Sequence, residues 1–222
     1  MRRRDLWVVL CIVPVAAAGE ESLAYSINWA SGLSLGEALL TSSGSAARRE
    51  FTLRVDAAVP GFPVADRFRS VVAGDFCSTE LEKETHHGPK KSRETTLFDL
   101  ESGKASRATH GGGGRSEFPI PPCPRDALAF LQFARRELAQ GRVPAAQTVF
   151  FGASYQVRAE FGGAQQVRID DERVETDRLM VHVKGPVAST TLEVFFARDA
   201  ARTPVMAKIP LAVGVLSVDL VR

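Results

Sequence analysis

Apolar and polar residues alternate along short stretches of this chain, separated by glycine, proline or polar clusters. Phe51-Thr52-Leu53-Arg54-Val55-Asp56 alternates strictly, the period of a strand with one buried face. The same period, less strictly kept, predicts strands over 23–29, 33–41, 67–72, 79–86 and 93–100. In the second half it predicts strands over 148–151, 155–161, 165–169, 179–184, 192–197, 204–211 and 215–221. Gly36 lies inside one of these stretches, where a bulge is the expected reason for a glycine. Gly88-Pro89 and Ser102-Gly103 mark turns, and Gly162-Gly163 reads as a two-residue hairpin. Residues 107–122 hold Gly111-Gly112-Gly113-Gly114, then Pro119, Pro121 and Pro122, and read as a mobile loop.

One stretch has a helical period. Ala127, Leu131, Ala134 and Leu138 recur at three- and four-residue spacing, widened by Leu128 and Phe130. Arg125, Gln132, Arg135, Arg136, Glu137 and Gln140 fill much of the other side. Pro124 suits a first helical position and Gly141 a terminal one, so a helix is predicted over 124–140 with one face laid on a sheet.

Many short strands and one helix predict a mainly β fold. The expected architecture is a single antiparallel curved sheet, or an open barrel or sandwich, with one main α-helix packed on it. No repeat and no linker divides the chain, so 19–222 reads as one β-rich domain.

The N-terminus reads as an address. Arg2-Arg3-Arg4 is a positive start, 6–15 is an apolar core, and Ala16-Ala17-Ala18 offers small residues for cleavage before Gly19. Residues 1–18 are therefore expected to be a signal peptide, and the chain an exported one of the periplasm or cell envelope. The apolar run is short for a bilayer span, and no longer one follows, so no transmembrane segment is expected in the mature chain. Cleavage removes Cys11 and leaves Cys77 and Cys123, an even count that can pair in an oxidising compartment. Such a bridge would anchor the start of the helix. The rival reading is a thiolate activated by the helix N-terminus.

Charge narrows the function classes. Setting aside Arg2, Arg3, Arg4 and Asp5 brings 28 basic and 26 acidic residues level, so no global field draws the chain to nucleic acid. Lys90, Lys91 and Arg93 form a basic cluster without interleaved aromatics, a poor nucleic-acid signal. The glycine run lacks the Lys-Ser/Thr ending of a phosphate loop. His86 and His87 would point to opposite faces of a strand, His110 lies in the loop beside the glycine run, and His182 sits in an apolar strand; no metal site or cofactor is expected. Glu80, Glu82 and Glu84 would share one strand face with Lys83 on the other, the pattern of a solvated surface. Gly152-Ala153-Ser154-Tyr155 is not a nucleophile elbow.

Short motifs in a consistent order carry a family resemblance. Tyr25-Ser26-Ile27-Asn28-Trp29 precedes Gly32-Leu33-Ser34-Leu35-Gly36-Glu37-Ala38, then comes 126–135 (DALAFLQFAR), then 195–205 (FFARDAARTPV). In these the chain resembles the exported bacterial family catalogued as domain of unknown function 3108. The resemblance implies an exported, mostly antiparallel β fold and no assigned activity. Asp126, Arg135, Asp199, Arg202 and Pro204 stand at its motif positions, while Ala129 and Phe133 replace residues that usually carry hydroxyls. Each motif position also has a structural reading: an Asp in a first helical turn, an Arg paired with a carboxylate, a Pro opening a strand.

These readings favour a non-catalytic envelope protein that binds an apolar or glycan ligand, or an envelope partner, on its curved sheet. The alternative is a hydrolase-like enzyme outside the cytoplasm using carboxylates that the sequence does not single out.

Overall fold

Strict alternation in the Phe51 stretch puts Phe51, Leu53 and Val55 against the core and leaves Arg54 exposed. The computed structural model describes residues 20–45, 47–59, 62–212 and 214–222; the expected signal peptide lies outside them. The chain lays down β1 (Glu21–Trp29), β2 (Ser34–Gly44), β3 (Arg48–Val59), β4 (Phe62–Ala73), β5 (Cys77–His87), β6 (Lys90–Asp99), β7 (Lys104–Thr109) and β8 (Arg115–Pro119) as consecutive antiparallel neighbours. A short β9 (Arg125–Asp126) leads into α1 (Ala127–Ala139). The sheet then resumes with β10 (Gln147–Phe150), β11 (Ser154–Ile169), β12 (Glu172–Lys184), β13 (Ser189–Ala197), β14 (Pro204–Leu211) and β15 (Gly214–Val221). β15 pairs with β1, so the first and last strands meet inside one 15-stranded sheet that runs from β8 to β9. Neighbours are antiparallel except β9 and β10.

The sheet is curved but not closed. Its two ends approach: the Ser78 N–H of β5 donates to the Pro124 carbonyl at 2.8 Å. The Phe150 ring of β10 lies 5.6 Å from Phe118 and 5.7 Å from Phe98. No ladder joins β8 to β9 or β10 among the described residues, so of the expected forms the open curved sheet is the one adopted and a barrel is not. Pro119, Pro121 and Pro122 carry no N–H to donate, which stops β8 from extending a ladder there.

Two expectations change at glycines. Gly162-Gly163 is not a hairpin turn. It is an irregularity within the continuous β11, where the register shifts between Phe161 and Ala164 and Arg178 of β12 donates to the Gly162 carbonyl. The turn comes instead at Asp170-Asp171, with Asp170 at φ 50°. The glycines 111–114, expected in a mobile loop, join β7 to β8 as a hairpin. Gly36 does mark a bulge: the register shifts beside its partner Ile27, and a Cβ there would lie 2.1 Å from the Asp56 carbonyl oxygen.

α1 begins later than the proline suggests. Residues 125–126 pair with β10, and Asp126 has extended backbone (ψ 178°) while its side chain accepts from the Leu128 and Ala129 N–H groups. At the other end Gly141 takes φ 72°. Its N–H donates to Leu138 and that of Arg142 donates to Glu137, closing the helix with two reversed bonds.

The helix is enclosed rather than laid on one face. Leu128, Ala129 and Phe133 enter a core with Tyr25, Ile27, Phe51 and Phe195. Leu138, with Phe130 and Leu131, packs on Val149, Val157, Leu179 and Phe196 in a second core. Gln132, Arg135 and Glu137, expected on a solvated face, are buried as well. Burial of such groups requires partners, and these decide where the helix sits.

Candidate functional site

Asp126 anchors the helix start. Its Oδ1 accepts from the N–H groups of Leu128 and Ala129 at 2.9 and 3.0 Å, and its Oδ2 accepts from the hydroxyls of Ser70 and Ser78 at 2.5 and 2.7 Å. The carboxyl is fully enclosed; burial pushes its pKa up, against the pull of these four donors. Beside it, Cys77 and Cys123 form a disulfide with Cα atoms 4.7 Å apart. The bridge ties the first residue of β5 to the segment entering the helix, as expected, and leaves no thiolate there.

Arg135 anchors the other end. It grips Glu21 of β1 through two nitrogens at 2.6 and 2.7 Å and donates to the Ala201 carbonyl at 3.0 Å and to Gln132 at 2.9 Å. The Ala201 loop is held by the remaining motif residues. Asp199 accepts from Thr203 N–H and hydroxyl, Arg202 pairs with the buried Asp177 at 2.7 Å, and Pro204 opens β14 with its carbonyl accepting from the Tyr25 hydroxyl. Asp126 and Arg135 thus pin α1 to opposite parts of the sheet, and Asp199, Arg202 and Pro204 shape the loop that Arg135 grips. They do not converge on one reacting centre.

The other candidate groups are dispersed. His86 faces Glu84 and His87 faces Asp66, His110 meets the Thr95 hydroxyl, and His182 lies between Thr191 and Glu160. Glu80 and Glu82 share a strand face with Arg69, which bonds Glu50 at 2.8 Å and lies 3.4 Å from Glu80. Among the described residues no three metal-ligating side chains gather.

Between α1 and the inner side of β10–β13 lies a cleft of about 410 Å³. The helix supplies Ala127, Phe130, Leu131 and Ala134. The strands supply alternate residues, Tyr155, Val157 and Ala159 of β11 facing Leu179, Val181 and Val183 of β12, with Leu192, Val194 and Phe196 beyond. Pro144, Val149 and Phe151 complete the wall, and the Tyr155 hydroxyl is the only side-chain polar group of the lining. Small side chains at Ala127, Ala134 and Ala159 leave the gap that larger ones would fill. A cationic group touches the wall: the Lys83 ammonium lies 4.6 Å from the Phe151 ring centre and 3.7 Å from Glu94. The Oε2 of Glu94 is buried and accepts no hydrogen bond. On the other side of β10 a hollow of about 550 Å³ with a mixed lining opens at the seam between the sheet ends, where Arg107, Ser116, Phe118 and Gln156 meet.

Compared with protein families, residues 24–221 match the one described as a protein of unknown function, DUF3108. The chain belongs to the DUF3108 family. The match takes in the sheet from within β1 to the end of β15 and so includes the whole cleft. Searches of curated proteins and of solved structures return no match.

Within this DUF3108 chain, the two departures from the motif have a physical place. Ala129 is wholly buried and Phe133 nearly so, both in the core that α1 shares with β1–β4. The Phe133 ring also carries the Arg125 guanidinium, 3.8 Å from its centre. Sequence reasoning missed the cleft. Its signal was the alanines within the helical stripe and in β11, but the space they leave depends on how far the helix stands from the sheet. It also missed Ser70 and Ser78, which look like ordinary strand serines until Asp126 arrives.

Proposed function

We propose that this chain is an exported, non-catalytic binding protein of the cell envelope that carries a single apolar chain, acyl or isoprenoid, in the cleft beneath α1. The observation that carries this reading is the cleft's lining: aliphatic and aromatic side chains from five elements, about 410 Å³, with a lone phenol as polar handle. Ligand pockets of small molecules have this size and character. Apolar surface left facing water is unfavourable, and a matching apolar ligand removes it. A glycan would leave its hydroxyls without partners on these walls. Export is supported by the positive start, apolar run and small residues of 1–18, and by the Cys77–Cys123 bridge, which suits an oxidising compartment.

The test is to purify the mature protein from the envelope of an expressing bacterium under detergent-free conditions and extract it with organic solvent. Mass spectrometry of the extract should show a lipid in near-equal molar amount with the protein. The Val183→Trp variant, which places a large ring at the cleft mouth, should yield none. Equal yields from both proteins would overturn the reading.

A further inference from the structure

In an antiparallel sheet, alternate turns project from the same edge. The turns β1–β2, β12–β13 and β14–β15 therefore share one edge of this sheet, and β13, β14, β15 and β1 are direct neighbours there. Their tips are apolar and exposed: Leu33 is 59% accessible, Val187 97%, Leu211 44% and Val215 38%. Trp29, the last residue of β1, lies across Gly214, where a Cβ would sit 2.9 Å from the indole ring. The two hairpins thus form one continuous tip.

Charge on this edge has a single sign. Among the described residues of its turns, and of the two strand positions flanking each, no Asp or Glu occurs. Lys90, Lys91, Arg115 and Lys184 do occur there, and the two lysines of the β5–β6 hairpin are exposed. The carboxylates next to that hairpin, Glu84 and Asp66, pair with His86 and His87 rather than with these lysines. The opposite edge is mixed, with Asp75, Glu101, Asp170, Asp171 and Asp199 in its turns beside Arg198 and Arg202. The cleft opens toward the basic edge. Along β12 its lining passes from the buried Leu179 and Val181 to the half-buried Val183, and along β13 from the buried Phe196 to the half-buried Val194 and Leu192.

We propose that this edge docks on the surface of an anionic lipid bilayer. The apolar hairpin tips enter the headgroup region, the basic residues meet lipid phosphates, and the cleft mouth is brought to the bilayer. Apolar tips with flanking lysines are the combination that binds interfaces reversibly, and neither element alone holds firmly. The proposal rests in part on the reading of the cleft as an apolar-chain site, and it names where that chain is exchanged.

The experiment is flotation of the mature full chain with two kinds of vesicle, phosphatidylcholine alone and phosphatidylcholine mixed with phosphatidylglycerol. Binding is expected to the mixed vesicles and to be at least tenfold weaker to the neutral ones, with Trp29 emission shifting to shorter wavelength on binding. The combined variant Leu33→Asp, Val187→Asp, Leu211→Asp changes only exposed residues, two in turns and one at the end of β14, and should lose at least tenfold in vesicle binding. Lys90→Glu with Lys91→Glu should remove the preference for anionic vesicles. Palmitate binding without vesicles is measured on the same proteins. Its retention by the Asp variant shows that the fold and the cleft are intact while docking is lost, which supports the proposal. Equal flotation of the Asp variant and the wild type, or no flotation of the wild type with mixed vesicles, overturns docking. Wild-type flotation without any palmitate binding upholds docking and overturns the cleft reading.

Discussion

The hydroxyl of Tyr25 donates to the carbonyl of Pro204 at 2.8 Å, across 179 residues of sequence. It joins the first strand to the start of β14, the two ends of the family pattern, beneath the loop that Arg135 grips. Tyr25→Phe keeps the ring in the core and leaves a buried carbonyl without its donor. The expected loss is about 1–2 kcal/mol in denaturant unfolding.

Burial also sets how Tyr25 titrates. It pushes the phenol well above the ordinary tyrosine range, outweighing the opposite pull of Arg135. The folded state thus holds the proton more tightly than the unfolded chain. This contribution to stability is intact below about pH 10, where an unfolded tyrosine ionises, and is lost as pH rises toward the folded value. In an ultraviolet titration the Tyr25 phenolate should appear only as the protein unfolds, and Tyr25→Phe should remove that late component.

The Cys77–Cys123 bridge closes a 46-residue separation that contains the glycine-rich hairpin and the prolines. In the chain-entropy account it stabilises by roughly 3–4 kcal/mol. Replacing both cysteines with alanine should lower stability by that order. Thiol titration of the unreduced, denatured mature chain should find no free thiol.

Asp126→Ala should cost more than loss of a helix cap, because it also strips an acceptor from two buried serine hydroxyls. A loss of about 2–4 kcal/mol in denaturant unfolding is expected. Asp126→Asn keeps an oxygen for the helix N–H groups and should cost less than half as much.

The parts of the fold governed by local period were legible. Alternation at Phe51–Asp56 reports a single buried face, the helical stripe at Ala127–Leu138 reports the helix though not its enclosure, and the even cysteine count reported the bridge. What was not legible depends on contacts distant in sequence. Gly162-Gly163 has the composition of a turn, but Arg178 on the next strand holds its carbonyl and keeps β11 running. Arg135 and Glu137 have the polarity of a solvated face, and only their partners make burial tolerable: Glu21 and Ala201 for Arg135, Arg142 for Glu137. The cleft is a matter of distance between helix and sheet, which no period along the chain encodes.

The most direct test is calorimetric titration of the delipidated mature protein with palmitate at several temperatures. One site with a negative heat-capacity change, the mark of apolar burial, is expected for the wild type. Val183→Trp should weaken binding at least tenfold while leaving the unfolding midpoint within the range of a surface change. No saturable binding by the wild type, or equal binding by wild type and Val183→Trp, would contradict the account.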